Sequence, residues 1–274
     1  MGKNSQNNLE IVQEITEEIF SSKGYSHLSP DVIQRVVADL IRKYKPKDLI
    51  KEVKNKLHQI WGAFYDKNPN FDKILSKTTS DPNFKENQNQ IFDQIISLHS
   101  STAERKVILP YFYQQIFDVC QGAKSVVEYG CGLNPLSLVL AGFQKNIDYI
   151  GYDIDQKEVD FLNQVFQSFD ILNFKTECAD IFTQELPQKD IAFLLKLLTT
   201  LEQQKKGISL EILNKLPNKW IVASFPVFSI GRKNRNMGEF YKTWFEELVT
   251  KLDFKTKVVK LEFETELVFV IEKC

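Results

Sequence analysis

At 274 residues, with 43% hydrophobic and 26% charged side chains, the chain has the make-up of an ordinary globular protein and the length for one large or two smaller folding units. A net charge of −1 excludes recognition of a polyanion by a global field, so any such partner must meet a local patch. No uninterrupted apolar run is long enough to span a bilayer, and the polar start lacks the apolar centre of a secretory signal, so a cytoplasmic location is expected.

The first residues, 1–8, are polar, and Gln6 stands where a myristoylation signal wants Ser or Thr. Apolar residues at 9, 11, 12, 15, 19 and 20 predict a helix over 9–20. Ser29-Pro30-Asp31 opens a second helix, closed by Lys45-Pro46, and residues 48–61 make a third. Around this junction lie Arg42, Lys43, Lys45, Lys47, Lys51, Lys54 and Lys56 against only Asp48 and Glu52. Such a run is either a solvated helix face or a contact surface for a polyanion.

Residues 66–90 have loop chemistry around a short helical piece at 71–75. Helices are expected at 91–99 and 105–119, the second kinked at Pro110. Residues 1–120 therefore read as a mostly helical unit. After Gly122 strands and helices alternate. Strands are expected at 125–129, 148–152, 172–177, 191–195, 220–224, 255–263 and 267–271, and helices at 135–143, 156–169, 202–215 and 239–251. Alternation implies an α/β, Rossmann-like parallel sheet over 121–274, with ligands at the carboxyl ends of its strands. The last two strands, with only a short turn between them, should form an antiparallel hairpin at one edge.

Four scattered cysteines (Cys120, Cys131, Cys178, Cys274) and three scattered histidines (His27, His58, His99) have no zinc-ligand spacing, so reduced thiols and no metal are expected. The informative stretch is 125–137, S-V-V-E-Y-G-C-G-L-N-P-L-S. Gly130 and Gly132 give a strand-to-helix turn its freedom and clear the backbone for a ligand. Asn134 suits an N-cap and Pro135 the first helical position. Pro135 also occupies the third-glycine place of a dinucleotide fingerprint, which argues against NAD and FAD. Asp153-Ile154 ends the second strand, where an acid can accept both ribose hydroxyls of an adenosine, while Asp155 suits an N-cap. After the third strand Asp180 could accept an adenine amino group, with Ile181 and Phe182 against the base. Three such loops at successive strand ends describe a pocket for S-adenosyl-L-methionine (SAM).

The chain resembles the aminoglycoside-resistance 16S rRNA (guanine-N7) methyltransferases, the Arm/Rmt group with actinomycete producer relatives. The stretches that carry the resemblance are K-L-H-Q-I-W-G-A-F-Y (56–65), H-S-S-T-A-E-R (99–105), C-G-L-N-P-L (131–136), Y-D-I-D (152–155), F-L-L-K-L-L (193–198), S-F-P (224–226) and a basic loop leading to Met237 and Y-x-x-W-F-E (241–246). It implies a seven-stranded SAM-dependent methyltransferase sheet with one reversed strand, preceded by a helical domain over 1–120 that docks on 16S rRNA within the 30S subunit. A monomer is expected. By matching positions Arg105 would pair with the methionine carboxylate, Gly130 and Gly132 would line the methionine part, and Phe64 would line the pocket. Asp153 with Ile154 would hold the ribose, Asp180 with Ile181 the adenine, and Lys196 would face the reaction site or the incoming RNA.

Arg232, Lys233 and Arg235 form an acid-free loop suited to phosphates, and Met237, Trp244 and Phe225 are candidates to meet the target base. The family usually carries Arg or Lys at Phe228, glycines around Arg232, Asn234 and Asn236, and Glu-x-Asn-Tyr where Gly238-Glu239-Phe240-Tyr241 stands. Glu128 replaces a commoner Asp and Phe64 a commoner Tyr. The first group lies on the target-facing side. The alternatives to guanine-N7 methylation are therefore another rRNA nucleotide, or a ribosome-binding protein without turnover.

Overall fold

The computed structural model describes residues 3–65, 69–228 and 237–274. The helices before the sheet are α1 (Lys3–Phe20), α2 (Pro30–Leu40), α3 (Pro46–Ile60), α4 (Phe71–Thr79), α5 (Gln88–Ile96), α6 (Ser100–Arg105) and α7 (Leu109–Val119). Then come β1 (Ser125–Tyr129), α8 (Asn134–Leu140), β2 (Asp148–Asp153), α9 (Gln156–Ser168), β3 (Phe174–Cys178), β4 (Ile191–Leu195), α10 (Leu198–Gln204), α11 (Ile208–Lys215), β5 (Trp220–Pro226), α12 (Met237–Val249), β6 (Thr256–Glu262) and β7 (Glu266–Lys273).

The seven strands form one sheet of order β3-β2-β1-β4-β5-β7-β6, with β7 antiparallel to both neighbours. The expected terminal hairpin is therefore present, and β7 inserts beside β5. Central β4 is buried at every position, as a strand covered on both faces must be. Edge strand β6 exposes Lys257 and Lys260, charges that discourage edge-to-edge pairing.

Alternate residues of each strand enter opposite layers. Val126, Tyr149, Phe193 and Val222 pack with α5, α7, α8 and α9 on one face; Val127, Ile150, Leu194 and Ile221 pack with α10, α11 and α12 on the other. Helices α1–α3 close a separate apolar cluster, to which α2 contributes Val32, Ile33, Val36 and Val37 at helical spacing. Strands thus begin after residue 120, whereas the packing changes hands between Ile60 and Tyr65, because α5 and α7 lie against the sheet.

The α1–α3 cluster is fastened to the end of β2. Ser29 N–H donates to the Ile154 carbonyl (2.8 Å), Gln156 N–H to the His27 carbonyl (2.8 Å), and the Trp61 indole to Asp155 (2.8 Å). Two expected helices are interrupted. The 202–215 segment is two helices, α10 and α11, joined through Gly207 at φ +81°. The 105–119 segment breaks after Arg105, and Pro110 sits in the first turn of α7, where its missing N–H leaves no gap. No helix of the described residues is long and apolar enough to cross a membrane.

Candidate active site

A cleft opens at the carboxyl ends of β1, β2 and β4, and its walls include Phe64, Arg105, Gly130, Gly132, Asp153, Ile154, Asp180, Ile181 and Lys196. All the residues expected to hold SAM thus line one space. Gly130 (φ +62°) and Gly132 (φ +47°) both take the left-handed conformation. A Cβ on Gly130 would stand 2.8 Å from Leu197, and one on Gly132 3.2 Å from His99 Nε2. The Gly132 N–H donates to Asp153 Oδ2 (2.8 Å), and the Ile154 and Asp155 N–H groups donate to its Oδ1 (2.7 and 3.3 Å). Burial nevertheless pushes the Asp153 carboxyl up to about 6, these amide bonds opposing the rise. Asp155 caps α9 as expected, accepting from the Lys157 and Glu158 N–H groups.

Asn134 does not cap α8. It is the first helical residue, and its side chain turns into a buried relay instead. Its Oδ1 accepts from Arg105 and from the Tyr113 hydroxyl, while its Nδ2 donates to both oxygens of Glu128 (2.8 and 2.9 Å). Glu128 also accepts from Tyr149 (2.6 Å), and burial pushes its carboxyl up to about 7. Arg105 is only 1% exposed and is held bidentately by Glu266, Nε at 3.0 Å and Nη2 at 2.7 Å. Burial opposes its charge, but Glu266 outweighs burial and keeps the guanidinium firmly protonated. Five N–H donors leave it two for a ligand carboxylate beyond these three bonds. Lys196, at φ +56° beyond β4, places Nζ 2.8 Å from Glu104 and 3.7 Å from Glu266.

Sequence reasoning missed the pocket residues His99, Glu158 and Arg35, and also Glu266, which lies behind Arg105. Phe64 stacks on His99 (5.4 Å, 7°), which burial, with Arg105 and Lys196, holds neutral by lowering it to about 3. Glu158, fully buried, accepts from Tyr65 through one oxygen, and its other oxygen, Oε1, has no partner among the described residues. Burial raises its carboxyl well above the ordinary value. Asp180 is not open as expected. Its Oδ2 accepts from Arg35 Nε of α2 at 2.6 Å, its Oδ1 from the Phe182 N–H at 3.1 Å, and the Phe182 ring lies 3.9 Å under the Arg35 guanidinium.

The donor set fits SAM. Orphaned Glu158 Oε1 and the Asp153 carboxyl face the cleft beside the glycine turn, apolar Ile154, Ile181 and Phe64 flank it, and Arg105 brings unused donors. Among the described residues no group of three His, Cys, Asp or Glu side chains could hold a metal.

The expected RNA-contact residues lie apart from this cleft. Arg42, Lys43, Lys45, Lys47 and Lys51 are exposed around the α2–α3 junction, and Lys54 is half-buried over the Tyr25 ring. Met237 and Trp244 are half-buried on α12, Trp244 edge-on to Phe225 at 5.8 Å. Phe225 is a core residue, fully buried among Tyr241, Phe245 and Phe269, so it does not meet a base. Gly238 and Phe240 lie in the first turn of α12, Phe240 exposed, and Phe228 follows β5. Arg232, Lys233, Asn234, Arg235 and Asn236 lie outside the described residues.

The family model described as ribosomal RNA methyltransferase (FmrO) matches residues 21–270. The chain is 31% identical over 258 residues to a 16S rRNA (guanine(1405)-N(7))-methyltransferase of Proteus mirabilis, covering 89% of this chain and 91% of that one. It is 28% identical to the enzyme of that name from Micromonospora echinospora, covering 96% and 97%. Among solved structures, the 16S rRNA methyltransferase RmtF in complex with S-adenosyl-L-homocysteine superposes with a TM-score of 0.81 at 28% identity, covering 97% of this chain and 99% of that one.

Proposed function

From the premise that this chain belongs to the FmrO family of ribosomal RNA methyltransferases, we propose that it methylates N7 of a guanine in the aminoglycoside (decoding) site of 16S rRNA within the 30S subunit, using SAM. The observation that carries this reading is the convergence of Gly132, Asp153, Asp180 and Arg105 on one cleft, though they come from four separate parts of the chain. Methylation leaves a positively charged guanine, which repels a cationic aminoglycoside, so resistance to that drug class is the expected consequence.

SAM supplies an electrophilic methyl group on a sulfonium. Arg105 binds its carboxylate, Gly130 and Gly132 let the methionine part approach the backbone, Asp153 and Ile154 receive the ribose, and Asp180 and Ile181 receive the adenine. Guanine N7 carries an in-plane lone pair and no proton, so no side chain needs to act as a base. Neutral His99, and a Glu158 carboxyl that burial raises well above its ordinary value, suit a site that positions rather than deprotonates. Holding N7 about 3 Å from the methyl carbon, in line, supplies much of the rate through orientation. Lys196, tethered by Glu104 at the mouth of the cleft, faces the incoming RNA.

In duplex RNA, N7 faces a deep, narrow groove that side chains do not enter, so the guanine must be flipped out or the helix distorted. This requirement gives the α1–α3 unit and its exposed cations a role in gripping the subunit while the base is presented. Arg42, Lys43, Lys45, Lys47, Lys51 and Lys54, together with Arg232, Lys233, Arg235, Met237 and Trp244, form the RNA-contact set. The enzyme acts as a monomer in the cytoplasm, without metal.

The test is to incubate purified 30S subunits with the protein and labelled SAM, then map the modified base by reduction and strand cleavage. Cleavage at a decoding-site guanine is expected. Label on another nucleotide would overturn the substrate, and failure to bind SAM in calorimetry would leave only a ribosome-binding protein.

A further inference from the structure

The side chain that closes the adenine end of the cleft comes from the helical unit, not from the sheet. Arg35 lies on α2, 145 residues from Asp180 in sequence, yet its Nε meets Asp180 Oδ2 at 2.6 Å and its guanidinium covers Phe182 at 3.9 Å. Both partners are well shielded: the side chains of Arg35 and Asp180 are 15% and 3% exposed. In such a setting a planar guanidinium fixes both the charge and the orientation of a carboxylate. The Asp180 oxygens already accept one bond each and still have lone pairs to offer. Arg35 therefore fixes the Asp180 carboxylate in one orientation, with lone pairs still to offer, at the place where a nucleobase edge arrives.

Arg35 also borders a second, polar groove between α2, α3 and α10, beside Lys43 and Lys56. Its side chain lines both that groove and the cofactor cleft. The α1–α2 loop and Trp61 tie the same helical unit to Ile154, Asp155 and Gln156. Helix α2 is thus part of the cofactor site by two independent attachments, one at the ribose end and one at the adenine end.

We propose that Arg35 is the positioning residue that gives the site its preference for a 6-amino purine, so that nucleobase selection depends on the helical unit as well as on the methyltransferase sheet. The inference rests on reading the cleft as a SAM site. Held in this orientation, the Asp180 oxygens accept from a 6-amino group and offer no donor to a 6-oxo group. Without Arg35, nothing on α2 holds the Asp180 side chain in this orientation, and its rotation removes the distinction.

The experiment measures binding of S-adenosyl-L-homocysteine and of its 6-oxo counterpart, S-inosyl-L-homocysteine, by calorimetry on the full chain. The proteins are wild type, Arg35→Met, Asp180→Asn and the double variant. A site built to pair with a polar edge discriminates strongly against the analogue lacking it, so wild type should prefer the amino compound by tenfold or more, about 1.4 kcal/mol. Each single variant should bring the preference to within about threefold, and the double variant should lose no more than either single one, because the two residues act as a unit. Arg35→Lys keeps the charge without the planar fork and should recover part of the preference; it also decides the matter if Arg35→Met does not fold. A full wild-type preference in folded Arg35→Met, or losses that simply add in the double variant, would overturn the proposal. If wild type binds neither compound, it is the SAM reading that fails, not the role of Arg35 within it.

Discussion

The tightest constraint on the site is the ion pair behind it, and Glu266→Gln tests it. The substitution keeps shape and one acceptor oxygen but removes the charge that faces Arg105. Glu266 is fully buried; it accepts twice from Arg105 (3.0 and 2.7 Å), takes the Ser224 hydroxyl, and stands 3.7 Å from Lys196. Removing one partner of such a pair leaves an uncompensated buried cation, which costs about 3–5 kcal/mol. That is a large share of a total stability of roughly 5–15 kcal/mol. At about 2–4 °C per kcal/mol for a chain of this size, the midpoint should fall by roughly 6–20 °C. The pH dependence has a definite sign. Burial alone would raise the Glu266 carboxyl, but Arg105 and Lys196 outweigh it and hold it below the ordinary value. The pair's stabilisation is thus full above the unfolded carboxylate value and is lost as pH falls through the folded one; the Gln variant should lack that acid-side loss. Urea unfolding followed by circular dichroism at neutral and mildly acidic pH measures both effects. A second variant, Arg105→Met with Glu266→Leu, removes both charges and should recover part of the loss. A Glu266→Gln protein within about 1 kcal/mol of wild type would refute the argument, because no buried counter-charge would then have been lost.

Asp153 gives a second pH effect of opposite direction. Burial raises its folded carboxyl to about 6, so this group favours the folded state most below the unfolded value, and that contribution fades as pH rises through the window up to about 6. SAM affinity, which needs the carboxylate, should instead rise from pH 5 to pH 7 in wild type. It should be weak and flat in Asp153→Asn, and a flat wild-type titration would remove Asp153 from the ribose role. Gly132→Ala forces an L-residue to φ +47° with its Cβ 3.2 Å from His99, so a cost of about 1–2 kcal/mol and a weakened SAM affinity are expected. Unchanged SAM affinity in that variant would mean that the ligand does not approach this backbone. Lys47→Glu with Lys51→Glu, both exposed, should weaken 30S binding and flatten its salt dependence by roughly one unit of slope for each phosphate no longer neutralised; a wild-type salt slope would exclude both from the interface.

What could be read from the chain, and what could not, divides by sequence distance. The Gly130–Gly132 turn, Asp153 and the capping role of Asp155 are local: strand, turn and helix start lie within a few residues, and backbone sterics leave them little choice. The sheet and its reversed β7 followed from alternation and from the short turn before Glu266. The misreadings concern competition between partners. Asn134 has the chemistry of an N-cap, yet Arg105 and Glu128 claim its side chain, because a buried cation and a buried acid left without partners cost more than an unmade cap. The 202–215 helix fails at Gly207, a left-handed glycine whose N–H is taken by the Glu202 carboxylate. That glycine was a readable signal, outweighed by the apolar pattern on either side of it.

Asp180 carries the same lesson into the function. Its place after β3 made it the expected acceptor for the base, but its orientation is set by an arginine 145 residues away on a helix of a different apolar cluster. No periodicity or spacing links such positions. Only the fastening of α1–α3 to the end of β2 brings Arg35 within reach, and that fastening uses backbone groups of His27, Ser29, Ile154 and Gln156, which leave little trace in residue identity. A local motif can therefore announce the cofactor, while the side chains that set its fit are supplied across the seam between the helical unit and the sheet.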